Sequence, residues 1–139
     1  MLRLLLISVI LFTSYVQANE PIISGHVFSH HSKVLEEKRR FMVALPENYH
    51  DNELNYPTLY VVDSDFQFQH VSAVIKNMTR MGKIPPMIVI GIANQGNADY
   101  VYQTTWAIQG EPEFGGAELF FNYINEELVP NIDNNYYIN

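Results

Sequence analysis

Two short runs decide what this chain can fold into. Thr58-Leu59-Tyr60-Val61-Val62 and Met87-Ile88-Val89-Ile90-Gly91-Ile92 are apolar at almost every position instead of every second one. A strand with one wet face alternates, whereas a strand without alternation is covered on both faces, as in a parallel sheet. Between the runs, Val71, Val74, Ile75 and Met78 recur at helical spacing, with Arg80 and Lys83 in the last turns and Pro85-Pro86 behind them. Basic residues there complement the helix dipole, and proline stops the helix. Strand, helix and strand in so short a span predict a βαβ crossover, right-handed in nearly every known case.

Around this unit the patterning changes. From Pro21 to Leu45 it has period two: Ile23, Gly25, Val27 and Ser29 alternate with Ser24, His26, Phe28 and His30. Phe41, Val43 and Leu45 alternate in the same way with Arg40, Met42 and Ala44. Joined by the charged segment Lys33 to Lys38, these two runs predict an antiparallel pair. Ala93 to Phe114 shows little periodicity and predicts a long loop, and such loops are often functional. A last helix is predicted from Gly116 to Val129, with Leu119, Phe120, Tyr123, Ile124 and Leu128 on one face and Pro130 as its stop. No further strand is expected after Tyr136-Tyr137-Ile138. The fold class is α/β, with antiparallel lead-in strands followed by a parallel βαβ sheet.

The first residues stand outside this fold. Met1-Leu2-Arg3 is a short positive region, Leu4 to Phe12 is apolar apart from Ser8, and Val16-Gln17-Ala18 is a small-x-small cleavage site. That order predicts a signal peptide over 1–18, export to the periplasm or outside of a bacterium, and a mature domain over 19–139. Losing Arg3 takes the net charge from −7 to −8. After Lys83 no basic residue occurs, while seven acids follow, from Asp99 to Asp133. Phosphate contacts need clustered Lys and Arg, so neither a nucleic-acid nor an anionic-membrane partner is expected. Cysteine is absent, which removes disulfides, thiolate zinc sites and a cysteine nucleophile.

Several segments together resemble the esterase D and enterochelin-esterase-like α/β-hydrolases. They are Ser32 to Arg40, Val43-Ala44-Leu45-Pro46-Glu47-Asn48-Tyr49, Tyr56 to Asp63, Pro86 to Asn94, and Gly115-Gly116-Ala117 leading to Glu127 through Asp133. The resemblance covers essentially all of Ile23 to Asn139. It implies the N-terminal half of an exported serine esterase, acting on a small-molecule ester without metal or organic cofactor. In that family a short strand and a G-x-S-x-G nucleophile elbow come next, then the acid and the histidine. Here no G-x-S-x-G occurs, no serine follows Ser72 and no histidine follows His70. The expected fold is therefore an incomplete α/β-hydrolase, truncated before the elbow, whose triad would lie beyond Asn139 and which should not hydrolyse esters as written.

The half-enzyme would still supply an oxyanion-hole donor, which in α/β-hydrolases comes from the loop after the third strand. By resemblance this loop is Asp63-Ser64-Asp65-Phe66, with the N–H of Asp65 as donor and Ser64 where the family usually has glycine. The same Asp63 and Ser64 suit a helix cap, and one loop can serve both ends. Tyr100, Tyr102, Trp106 and Phe114 lie in the long loop, where they either line a substrate cleft or cover the sheet edge as core. His26, His30 and His31 alternate faces along a strand without a supporting carboxylate pattern, so no metal site is expected. His70 reads as a surface or cap residue.

Two alternatives accompany this reading. Asp63 and Asp65, two residues apart at a strand's end, also fit a haloacid-dehalogenase-like Mg²⁺-dependent phosphatase. Against it, Phe66-Gln67 follows them and no Lys occurs in the acidic C-terminal region. The non-catalytic alternative is a truncated product or interaction module. A strand made for the centre of a sheet would then be left as an open edge, with self-association the expected consequence.

Overall fold

The computed structural model describes residues 20–51, 54–96 and 98–138, leaving aside the side chains of Ala98 and Tyr100. The expected leader over 1–18 lies outside the described residues. β1 (His26–Ser32) and β2 (Glu37–Ala44) form the antiparallel lead-in, with Phe28 opposite Phe41 and Ser32 opposite Glu37. Their turn passes through Glu36 at φ 54°. The period-two signal began at Pro21, but pairing starts only at His26, opposite Val43. Pro46 cuts off β2 and its ladder, so Ile22 and Ile23 find no partner strand and stay 99% and 63% exposed.

β3 (Thr58–Val61), α1 (Ser64–Arg80) and β4 (Ile88–Ile92) are the crossover. The sheet order is β1-β2-β4-β3, with β4 antiparallel to β2 and parallel to β3. β4 is thus central and buried at all five positions, whereas β3 is an edge, half-buried at all four.

The pleat sorts residues to two faces. Ile88, Ile90 and Ile92 of β4 join Phe41 and Val43 of β2 in one core with Phe120, Tyr123, Leu128 and Ile132. Gly91 faces the other way, under α1. A side chain there would come within 2.7 Å of both Phe68 and Ser64, so the glycine permits the close approach of α1. The α1 face is thinly covered: Phe68 is buried, but Val74 and Met78 of the expected apolar stripe are 40% and 37% exposed.

The opposite face is covered by α2 (Ala117–Asn122), wide π-helical turns over Tyr123–Leu128, and α3 (Val129–Asn135). Pro130 was expected to end this helix, and it does not. The π turns shift the register so that Pro130 falls in the first positions of α3, where a missing N–H removes no bond. The helix therefore continues to Asn135 and delivers Ile132, fully buried, to the core. Leu119, expected on the buried face, is 53% exposed, and its neighbour Phe120 takes the core position instead.

The long segment after β4 is less irregular than its sequence suggests, with π-helical turns over Ala98–Gln103 and a bridge between Ile108 and Glu111. At the far end, Tyr56 donates its N–H to the Tyr137 carbonyl at 3.0 Å, and Tyr56 forms a parallel bridge with Ile138. Pro57, one residue on, turns its carbonyl to Ile88 of β4 instead. The tail thus begins to pair beside the start of β3. No described helix is long and apolar enough to cross a membrane.

Candidate functional site

The C-terminal ends of β3 and β4 lie side by side because these strands are parallel neighbours. Open α/β sheets place their chemistry at this edge. β3 leads into α1 through Asp63, which adopts the left-handed conformation at φ 55°, ψ 40°. Among non-glycine residues Asp and Asn tolerate that region best.

Asp63 holds the N-cap position, but its side chain does not cap the helix. Its main-chain carbonyl accepts the N–H groups of Phe66 and Gln67 at 3.2 and 3.1 Å. Among the described residues the N–H groups of Ser64 and Asp65, the two residues just before these, have no hydrogen-bond partner, as is usual for the first donors of a helix. Ser64 itself is buried, with its Oγ unpartnered.

The Asp63 carboxylate turns instead to β4's exit, where Asn94 Nδ2 donates to Asp63 Oδ1 at 2.7 Å. The backbone N–H of Asn94 donates to Asp65 Oδ2 at 2.8 Å, and Arg40 of β2 reaches Asp65 Oδ1 at 3.0 Å. Two carboxylates, one amide and one guanidinium thus tie the β3–α1 turn to β2 and β4. A neutral amide and a cation between two acids also offset their mutual repulsion.

Behind this turn, on the other face, lies a buried ion pair. Arg39 and Asp99 are both fully buried, 2.5 Å apart, and Arg39 also bonds Glu37 Oε1 at 2.9 Å and the Ala93 carbonyl at 3.0 Å. Its guanidinium carbon sits 5.4 and 5.5 Å from the ring centroids of Phe120 and Tyr123. Asp99 in turn accepts the Gln95 N–H at 2.6 Å. A buried charge is tolerable only when it is paired and bonded in this way. The pair pins the segment after β4 to β2, and so fixes where Asn94 stands. Burial lifts the Tyr123 hydroxyl to about 12, against the nearby Arg39.

The β1–β2 turn is held by Glu127, whose Oε1 accepts the N–H groups of Lys33 and Val34 at 2.7 and 3.1 Å. Partial burial alone would raise this carboxyl. Bonds from Ser32, Lys33 and Val34, with the attraction of His30, outweigh it and hold it below the usual range. His30 lies between Phe41 and Tyr123, ring centroids 5.7 Å from each. Burial pushes it below its ordinary range, aided by Arg39 and His31 and opposed by Glu127.

Tyr102 and Phe114 pack edge to face at 5.1 Å, Trp106 is 79% exposed, and the Tyr100 side chain lies outside the described residues. His70 is exposed on α1. Among the described residues no group of three His, Asp or Glu could hold a metal ion. A groove of about 540 Å³ opens at the opposite end of the sheet, between α1, Ile22–Ser24 and Pro86–Met87, away from the turn.

Sequence reasoning missed Asn94, Arg40, Arg39 and Asp99. Arg39 could have been found, because it shares parity with Phe41 and Val43 on the inward face of β2. A cation on a core face requires a buried partner. Asn94 follows the apolar run of a parallel strand, where functional residues collect.

The Esterase family model matches residues 32–139. The ferri-bacillibactin esterase BesA of Bacillus subtilis is 27% identical over 101 residues, covering 60% of this chain and 35% of that protein. An IroE-like serine hydrolase from Shewanella oneidensis superposes with a TM-score of 0.72 at 29% identity, over 83% of this chain and 40% of that one. The BES protein from Bacillus cereus, at 23% identity, shares the fold with a TM-score of 0.73, over 91% of this chain and 52% of that one. The chain spans about a third to a half of the length of these relatives.

Proposed function

The chain belongs to the Esterase family, and from that premise we propose that it is the N-terminal part of an exported serine esterase acting on carboxylic esters. The observation that carries the reading is the β3–α1 turn at the C-terminal edge of the sheet, where the Asp65 N–H has no partner among the described residues. In the proposed mechanism a serine attacks the ester carbonyl, and the oxyanion that forms accepts a hydrogen bond from Asp65 N–H. The alcohol leaves, and water then releases the acid from the acyl-enzyme. The 139 residues hold no G-x-S-x-G elbow, so the nucleophile, acid and histidine of this scheme belong to sequence beyond them. By itself this stretch is then inactive. The name of the ferri-bacillibactin esterase favours siderophore esters within the carboxylic-ester class.

The test is purification of the protein from its own host, through a tag placed after Ala18, followed by two assays. Turnover of p-nitrophenyl butyrate together with fluorophosphonate labelling of one serine supports the reading. A product of the mature chain's mass that neither labels nor turns over any carboxylic ester overturns it.

The phosphatase alternative is set aside. Its two carboxylates are bonded to Asn94 and Arg40, and the matched family is one of esterases. One observation favours a second, non-catalytic reading, in which the chain acts as an interaction module. Among the described residues β3 has a partner strand on one side only, leaving backbone groups open for another strand from a second copy. Sedimentation of the 19–139 chain as a monodisperse monomer would remove it.

A further inference from the structure

We propose that Asn94 is a positioning residue, which holds the β3–α1 turn so that the Asp65 N–H points at the reacting carbonyl; this rests on the esterase reading above. One side chain and its own backbone grip both acids of the turn, through Nδ2 to Asp63 at 2.7 Å and through N–H to Asp65 at 2.8 Å. Asp63 needs the grip because it stands at φ 55°, in a region that persists only where the surroundings impose it. α1 holds only the Asp63 main-chain carbonyl, through the Phe66 and Gln67 N–H groups, and leaves the side chain free of the helix, since it makes no cap there.

The grip also answers an electrostatic problem. An oxyanion hole works by presenting positive dipoles to developing negative charge. Here Asp63 and Asp65 flank the donor, and a carboxylate facing the site would repel the oxyanion. Asn94 and Arg40 occupy three of their four oxygens, Asp63 Oδ1 and both oxygens of Asp65. The acids are thereby drawn toward the ends of β2 and β4, and Asp65 still complements the start of α1. Asn94 is itself fixed, because the segment that carries it is pinned by the Ala93 carbonyl on Arg39 and the Gln95 N–H on Asp99.

Two measurements on Asn94→Ala test this, and they fail separately. In the chain described here, native-state amide exchange is followed along α1. Phe66 and Gln67, whose N–H groups bond the Asp63 carbonyl, should exchange about tenfold faster, while amides at Val74 to Asn77 keep their rates. Equal acceleration along the whole helix means that Asn94 only adds stability, and overturns the proposal. In the active esterase, kcat should fall about tenfold to a hundredfold with KM little changed, since a misaligned donor is lost in the transition state and not in substrate binding. Asp63→Asn keeps an oxygen acceptor and the left-handed turn and should retain most of kcat, whereas Asp63→Ala should match Asn94→Ala. A kcat for Asn94→Ala equal to that of the unaltered enzyme also overturns the proposal. Absence of esterase activity in the parent protein would defeat the functional reading alone, because the exchange experiment stands without it.

Discussion

β3 and β4 are nearly the same kind of sequence, and they have opposite fates. Thr58-Leu59-Tyr60-Val61 and Ile88-Val89-Ile90-Gly91-Ile92 are both β-prone runs without a polar face. β4 lies between β2 and β3 and is buried throughout, while β3 has one neighbour and is half-buried throughout. Burial here follows the number of partner strands and packed faces, and composition only makes it possible. The only described cover on the outer side of β3 is the bridge from Ile138 to Tyr56 at its start.

The sharpest way to probe the central strands is to break the charge they enclose. Arg39→Ala should cost about 3–5 kcal/mol of stability, because it leaves the fully buried Asp99 without its counter-charge. Urea unfolding measures this. Lys76→Ala, at the exposed pair with Glu47, should leave the midpoint where it was. A similar loss in both would mean that the Arg39 site is open to water.

The next effect compares the two strands directly. Ile90→Ala in β4 should cost about 2–5 kcal/mol, as a fully buried side chain leaves a cavity. Leu59→Ala in β3, which starts half-buried, should cost about 1 kcal/mol. Equal losses would show that the outer edge of β3 is covered in solution, by a second copy or by further chain.

The smallest change in stability is expected at the edge itself. Val62→Lys, on a side chain already 55% exposed, should leave unfolding unaltered while lowering self-association in sedimentation, since a charge blunts an open edge. If association persists unchanged, the contact between copies lies elsewhere.

Much of this architecture was legible in the residues. The unbroken apolar runs gave the parallel pair, period two gave the lead-in hairpin, and the resemblance pointed to the loop after β3. The errors have physical causes. Pro130 reads as a stop, but π turns ahead of it move it to a helix start. The segment after β4 reads as irregular because Asp99, the residue that anchors it, has its partner sixty positions back in Arg39. Asn94 was passed over for the same reason, since its role exists only once β2, β3 and β4 are side by side.

The sequence by itself determined the β3–α1–β4 unit, the lead-in hairpin and which face of β2 turns inward, because those follow from local periodicity. It also determined that no elbow serine lies within these residues. Tertiary structure alone decided that β4 is central and β3 an edge, that Asp63 binds across to Asn94 and not to its own helix, and that Arg39 can be buried. Each of these depends on groups far apart in the chain meeting out of water, where a charge must find a partner and a strand must find a neighbour.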